Sequence, residues 1–218
     1  MKIKIFLVLL FIVSIGFTST AQTVSIGPRV GLNFATQVVT GDDSQYADDW
    51  NDEVKAATGA QVGLATNFML GEVFSIQPEF LYTQKGYRFE DADETVTGKY
   101  DYIDVPVLAK LSFGSPQLKG FVTAGPTFSY WMGGKDTFES DGMDFSEDID
   151  FDNEDDGIEN QFEAGASIGL GLAYLIGTGT FNVDVRYGAG LSSVYDTDDD
   201  AKLKNNGVSV SVAYLFGL

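Results

Sequence analysis

Almost all the side chains here that can do chemistry are carboxylates. Asp148, Asp150, Asp152, Glu154, Asp156 and Glu159 occupy positions 1, 3, 5, 7, 9 and 12 of a twelve-residue stretch. Oxygen donors at that spacing are what a calcium loop supplies. Asn153 stands at position 6, where such loops carry glycine, and Asn accepts the left-handed turn better than most residues. A segment this acidic also meets the pattern by chance. The competing reading is a solvated loop that attracts cations diffusely. Asp196, Asp198, Asp199 and Asp200 form a second, weaker cluster beside Lys202 and Lys204. Calcium at these loops is the one cofactor the sequence suggests.

The missing residue types narrow the chemistry further. The chain has no cysteine, which removes disulfides, iron–sulfur clusters and thiol catalysis. It has no histidine, and so lacks the commonest general base and the commonest zinc or copper ligand. Two carboxylates can still hydrolyse a glycosidic bond, but no spacing singles out a pair. The expectation is a protein that is not an enzyme.

Further charges inside alternating segments include Arg29, Glu79, Lys85, Asp104, Lys110, Glu163, Asp184 and Arg186. What they can do depends on which way they face, and so on the elements that carry them.

Those elements follow a leader. Residues 1–21 read as a cleaved signal peptide, with Lys2 and Lys4 before an apolar run and Ser19-Thr20-Ala21 at the cleavage positions. The run is shorter than the roughly 18 residues of a spanning helix. Residues 22–218 form one domain in which 11 basic residues face 32 acidic ones, a formal net charge of −21. Such a chain repels nucleic acid and attracts metal cations or basic partners.

Within it, large apolar residues alternate with small or polar ones over eight segments, at about residues 23–36, 57–70, 73–88, 99–113, 118–132, 160–174, 180–194 and 207–218. A period of two means strands. In the third, Phe74, Ile76, Pro78, Phe80 and Tyr82 oppose Ser75, Gln77, Glu79, Thr83 and Lys85. The fifth is the least regular, with Phe121 and Trp131 on its polar side. Tight turns at 71–72, 114–117 and 176–179 alternate with long loops at 37–56, 89–98, 133–159 and 195–206, which hold 26 of the 32 acids. Short turns on one side and long loops on the other describe an all-β, eight-stranded antiparallel up-and-down transmembrane β-barrel.

A soluble barrel has the same period with the opposite polarity. Three features favour the membrane form. The polar face is rich in Gly, Ala and Ser rather than in many charges. Aromatic residues such as Phe34, Phe74, Tyr130, Tyr174, Tyr187 and Tyr214 recur near strand ends, as in interfacial girdles. The strand charges are of both signs, and a charge facing lipid at mid-depth costs roughly 2–4 kcal/mol. The eight charges are therefore expected to point inward and pair, with inward glycines making room. The alternative is a narrow polar path. Eight strands leave an interior just wide enough for side chains to fill.

Four stretches also resemble a known family. Gly27-Pro28-Arg29-Val30-Gly31-Leu32-Asn33-Phe34 resembles a first-strand GxxxGLNF pattern, and residues 77–86, QPEFLYTQKG, resemble QPELLYSQKG. Residues 102–110, YIDVPVLAK, are similar to YLEIPLLLK, and Ala124-Gly125-Pro126 to an AGP strand. These belong to the outer-membrane β-barrel domain family common in Bacteroidetes, often labelled porin-family or PorT-like. The resemblance implies an outer-membrane barrel, matured by the barrel assembly machinery, and no particular reaction. One departure is the C-terminal Leu218, where the family usually ends in an aromatic residue.

The expected role is non-catalytic: an envelope structural or surface-interaction protein, anchored in outer-membrane lipid, with its acidic loops available to cations or an extracellular partner. The alternative is a transport or secretion accessory. Phe138, Met143, Phe145, Phe151 and Ile158 in the third loop either pack on the rim or dock a partner.

Overall fold

The computed structural model describes residues 24–41, 45–91, 94–140, 143–149, 161–193 and 202–218. The leader, and Asp150, Asp152, Glu154, Asp156 and Glu159 of the calcium-like segment, lie outside the described residues.

Period-two patterning becomes long strands: β1 (Val24–Thr40), β2 (Ala57–Met69), β3 (Phe74–Asp91), β4 (Glu94–Gly114), β5 (Leu118–Ser140), β6 (Met143–Asp148), β7 (Phe162–Ile176), β8 (Gly179–Gly190) and β9 (Lys202–Gly217), with one helix, α1 (Gln45–Glu53). All neighbours are antiparallel. Eight strands run in the order β4-β3-β2-β1-β9-β8-β7-β5, and β4 pairs with β5 to close the ring. Closure leaves no open edge, the condition for strands to cross hydrocarbon. The first and last strands meet from Ser25↔Gly217 to Thr40↔Lys202. The two ends of the described chain lie together at the tight-turn end, where Leu218 N donates to Val24 O at 2.9 Å.

The wall is apolar outside and polar inside. Leu170, Ile168 and Phe80 are 66 %, 62 % and 58 % exposed, while Arg29, Glu79 and Asp184 are almost fully buried. That polarity belongs to a barrel solvated by lipid. Aromatic residues pack near both ends of the wall. Tyr214 meets Phe216 edge-on at 4.7 Å near the tight turns, and Phe128 stacks on Phe162 at 6.3 Å towards the loops.

The structure corrects the strand ends on the loop side. Residues 89–98 are not a long loop: β3 and β4 stay paired out to Asp91↔Glu94. Residues 133–159 are not loop throughout, because β5 continues to Ser140 and pairs with β6, a ninth strand outside the ring. Cross-strand contacts offset the acidity of that hairpin. Lys135 lies opposite Asp148, Phe138 packs on Phe145 at 6.4 Å, and Thr137 bonds Ser146 at 3.3 Å. Phe138, Met143 and Phe145 remain exposed on it. The last ring strand, β9, begins at Lys202 rather than 207, while β8 stops at Gly190 rather than 194.

The first loop holds α1, which the sequence did not announce. Trp50 carries it onto the barrel, with its ring 4.7 Å from Phe89 and 5.4 Å from Tyr87 and its Nε1 donating to Gln37 O. The Asn51 amide both accepts from Val39 N and donates to Val39 O, each at 2.9 Å. Lys55 and Arg88 exchange backbone bonds of 2.7 and 3.0 Å. Both side chains reach Glu90, whose carboxyl is held below its ordinary range by the Lys55 hydrogen bond and then by the Arg88 charge.

These placements predict the tryptophan emission. Trp131 is completely buried, while Trp50 is partly covered at the loop side. A Trp50→Phe variant is expected to emit at shorter wavelength than the parent and to resist acrylamide. Quenching of that variant as efficient as the parent's would mean that Trp131 is not in the lumen.

Candidate functional site

The lumen is the candidate site. Parity fixes its lining, since every second residue of each ring strand points inward. The structure brings Arg29, Glu79, Lys85, Asp104, Lys110, Glu163, Asp184 and Arg186 together inside the barrel, in two groups at different depths.

The first group is a four-residue layer. Arg29 donates to both carboxylate oxygens of Asp184 at 2.7 Å each. Arg186 grips Glu79 the same way, at 2.6 and 2.9 Å. The two forks are tied sideways, with Arg186 Nε 3.0 Å from Asp184 and Arg29 Nε 3.7 Å from Glu79. Bidentate pairing of this kind matches the planar guanidinium to the carboxylate and fixes orientation as well as charge. Lys110 joins through Gln77, donating to Gln77 Oε1 at 3.1 Å while Gln77 Nε2 donates to Glu79 at 2.6 Å. It also donates to Asn182 Oδ1 at 3.1 Å and sits 3.9 Å above the Phe121 ring.

The second group lies nearer the loops. Lys85 Nζ is 3.1 Å from Glu163 and 3.2 Å from Asp104, and donates to Ser129 Oγ. Asn205 donates to Glu163 Oε2 and to Tyr102 Oη, and Lys85 lies 4.3 Å over the Tyr102 ring. Above it Tyr100, Tyr102 and Trp131 form a buried aromatic cluster, with Tyr102 stacked on Trp131 at 5.9 Å. A register shift in the β4–β5 ladder at Asp101/Tyr102 sits beside Trp131.

Glycines give these long side chains room. A Cβ on Gly169 would lie 2.5 Å from Arg186 Cγ, and one on Gly171 would lie 2.5 Å from Phe121 Cζ and 2.7 Å from Asp184 Cβ. Gly171→Leu is therefore expected to overpack the layer and lower stability by about 1–3 kcal/mol. Denaturant unfolding in micelles checks this, with Gly133→Leu as control because no atom crowds that position. Equal stability of the two variants would refute the tight fit.

Two cavities flank the four-residue layer. One of about 80 Å³ lies on the loop side, lined by Lys85, Asp104, Glu163 and Arg186 among others. One of about 260 Å³ lies on the turn side, lined by Lys110, Asn182, Ser75 and Asn67 among others. Arg29, Glu79 and Asp184 line neither. Among the described residues no cluster of three or more acids is arranged to hold a metal. Of the calcium-like set, Asp148 ends β6 opposite Lys135 and is exposed.

Sequence reasoning passed over Gln77, Asn182, Asn205, Tyr102 and Trp131, which complete the network. Parity was the available signal for Gln77, Asn182 and Tyr102, which share a strand face with Glu79, Asp184 and Asp104, and for Trp131 on the polar side of the fifth segment, whereas Asn205 fell in a segment read as loop and carried no such signal.

A closed ring, apolar without and charged within, defines a membrane-spanning β-barrel with a filled interior. The chain matches the family model of the outer membrane protein beta-barrel domain over residues 20–196. It belongs to that family and is an outer-membrane barrel.

No curated protein matches the chain. Among solved structures it is similar to the outer membrane protein OprG from Pseudomonas aeruginosa, at 14 % identity and TM-score 0.45, over 90 % of this chain and 94 % of that one. It is similar to Neisserial surface protein A at 13 % and 0.44, over 86 % and 95 %. It is also similar to Ail, the attachment invasion locus protein of Yersinia pestis, at 14 % and 0.42, over 90 % and 100 %. The barrel assignment rests on the closed ring and the family match.

Proposed function

We propose that this protein is a non-catalytic envelope component: the wall anchors it in outer-membrane lipid, and the loop-side end makes contacts outside the cell. A cleaved leader, residues 1–21, delivers it. The observation that carries the reading is the blocked lumen, in which two guanidinium–carboxylate forks and an aromatic cluster stand across the path a solute would have to cross. The loop-side end supports it too. Strands β3 to β6 extend past the Lys85 group as a paired sheet, braced by α1, and most of the acids lie in the segments between strands. These acidic segments suit cations or a basic extracellular partner, and calcium at residues 148–159 remains part of the proposal.

One observation favours a second reading, a transport or secretion accessory of the PorT-like kind. The cavities approach the charged layer from both sides, so a rearranged layer would open a narrow path. Planar-bilayer recording separates the two. A silent bilayer is expected, and discrete conductance steps would replace the anchoring role with transport. Pull-down from whole cells, with and without residues 141–159, then tests contact. Equal recovery of partners from both forms would reject a role for the acidic third loop. Calorimetry with millimolar calcium tests the cation, and absence of a saturable heat would remove it.

A further inference from the structure

We propose that the turn-side half of the lumen binds a small oxyanion, a phosphate or a carboxylate, between Lys110 at its inner end and Lys119 at its rim. The cavity measures about 260 Å³, many times the ~10–15 Å³ that one water needs. Val73, Pro116, Thr178 and Gly217 ring it at the tight-turn end. No Asp or Glu lines it, in a chain with 32 acids and 13 bases.

The charge count within the lumen points the same way. Near the loops, Lys85 faces two carboxylates, Asp104 and Glu163, which leaves one negative charge in surplus. At the four-residue layer, Arg29 and Arg186 balance Glu79 and Asp184, and Lys110 then adds one positive charge in surplus. Its contacts are two neutral amide oxygens and the face of Phe121. Among the described residues no carboxylate lies within ion-pair distance of it. A cation taken out of bulk water without a counter-charge is costly, and an oxyanion in the adjoining space supplies one.

The remaining walls fit the same ligand. Asn67 is more than nine-tenths buried, lines the cavity and has an Oδ1 with no hydrogen-bond partner. Its Nδ2 is not among the fully enclosed atoms and can donate to an anion in that space. Ser75 and Ser112 add hydroxyl donors to the walls.

The test uses the whole chain folded in zwitterionic micelles, with isotope-labelled lysine side chains, titrated with sodium phosphate or sodium acetate at constant ionic strength. The Lys110 and Lys119 resonances are expected to shift together and saturate with at least one of the two anions. Lys99 and Lys135, exposed at the loop end, should stay still. Lys110→Met is expected to abolish saturation at Lys119. Lys119→Gln, a rim change that leaves the packed interior alone, is expected to weaken binding about tenfold, the loss of one charge-assisted contact. Parallel, unsaturated shifts at all lysines would overturn the proposal. So would a saturating Lys119 response that survives Lys110→Met, or unchanged affinity in Lys119→Gln.

Discussion

Replacing Glu79 by alanine is expected to lower the unfolding free energy by about 3–5 kcal/mol, the range for breaking a buried ion pair from one side. Glu79 accepts both hydrogen bonds of the Arg186 fork and one from Gln77, and it is almost fully buried. Without it, Arg29 and Arg186 share Asp184 alone. The cost comes from the stranded guanidinium, not from the fork's own net worth, because desolvating two charges offsets most of their attraction. Glu79→Met combined with Arg186→Met is therefore expected to be less destabilised than Glu79→Ala, despite losing more interactions. Guanidinium unfolding in phospholipid vesicles measures both. A double variant worse than the single would mean that the fork itself is the source of stability, and a single variant within about 1 kcal/mol of the parent would mean the charge is not confined.

The second large effect lies on the other face of the wall. Leu170→Arg, near the middle of β7, is expected to cost about 2–4 kcal/mol, while Leu191→Arg, just past the loop-side end of β8, is expected to cost about 0–1. Both leucines are similarly exposed, at 66 % and 63 %, so water accessibility alone predicts equal tolerance. Depth in hydrocarbon separates them: an arginine near the boundary reaches the headgroups, and one at mid-depth cannot do so without distorting the bilayer. Unfolding in vesicles gives the two values. Indistinguishable costs would argue against a lipid-covered wall.

The wall was legible in the sequence because lipid enforces it position by position. A residue such as Leu170 or Phe80 cannot change face without a one-residue slip that moves the whole strand. The inward placement of Arg29, Glu79, Asp184 and Arg186 followed from the same penalty. Their partners did not, because Arg29 meets Asp184 across 155 positions and Arg186 meets Glu79 across 107. Alternation gives parity but not the shear that decides which inward residues share a level. The interior aromatics were harder still. Phe121 and Trp131 looked like flaws in the fifth segment, yet they fill space and, with Tyr102, give two lysines a ring face to rest on.

Legibility was lowest beyond the membrane. Once lipid no longer penalises a polar face, strand continuation is set by pairing alone. Residues 89–98 and 133–148 then resemble acidic loops even where they pair. The helix α1 is short and polar, and depends on Trp50 and Asn51 finding Phe89 and Val39, contacts that no local pattern encodes.

The seam between β1 and β9 sets an order of events for assembly. A chain shortened before β9 would leave β1 and β8 with bare backbone donors and acceptors in hydrocarbon, each costing several kcal/mol. Insertion therefore cannot finish strand by strand from the front. The cross-lumen forks join residues that come into range only as the cylinder rounds, so they form late and act as a latch. Their contribution should fall mainly on the rate of coming apart, not on the rate of going in.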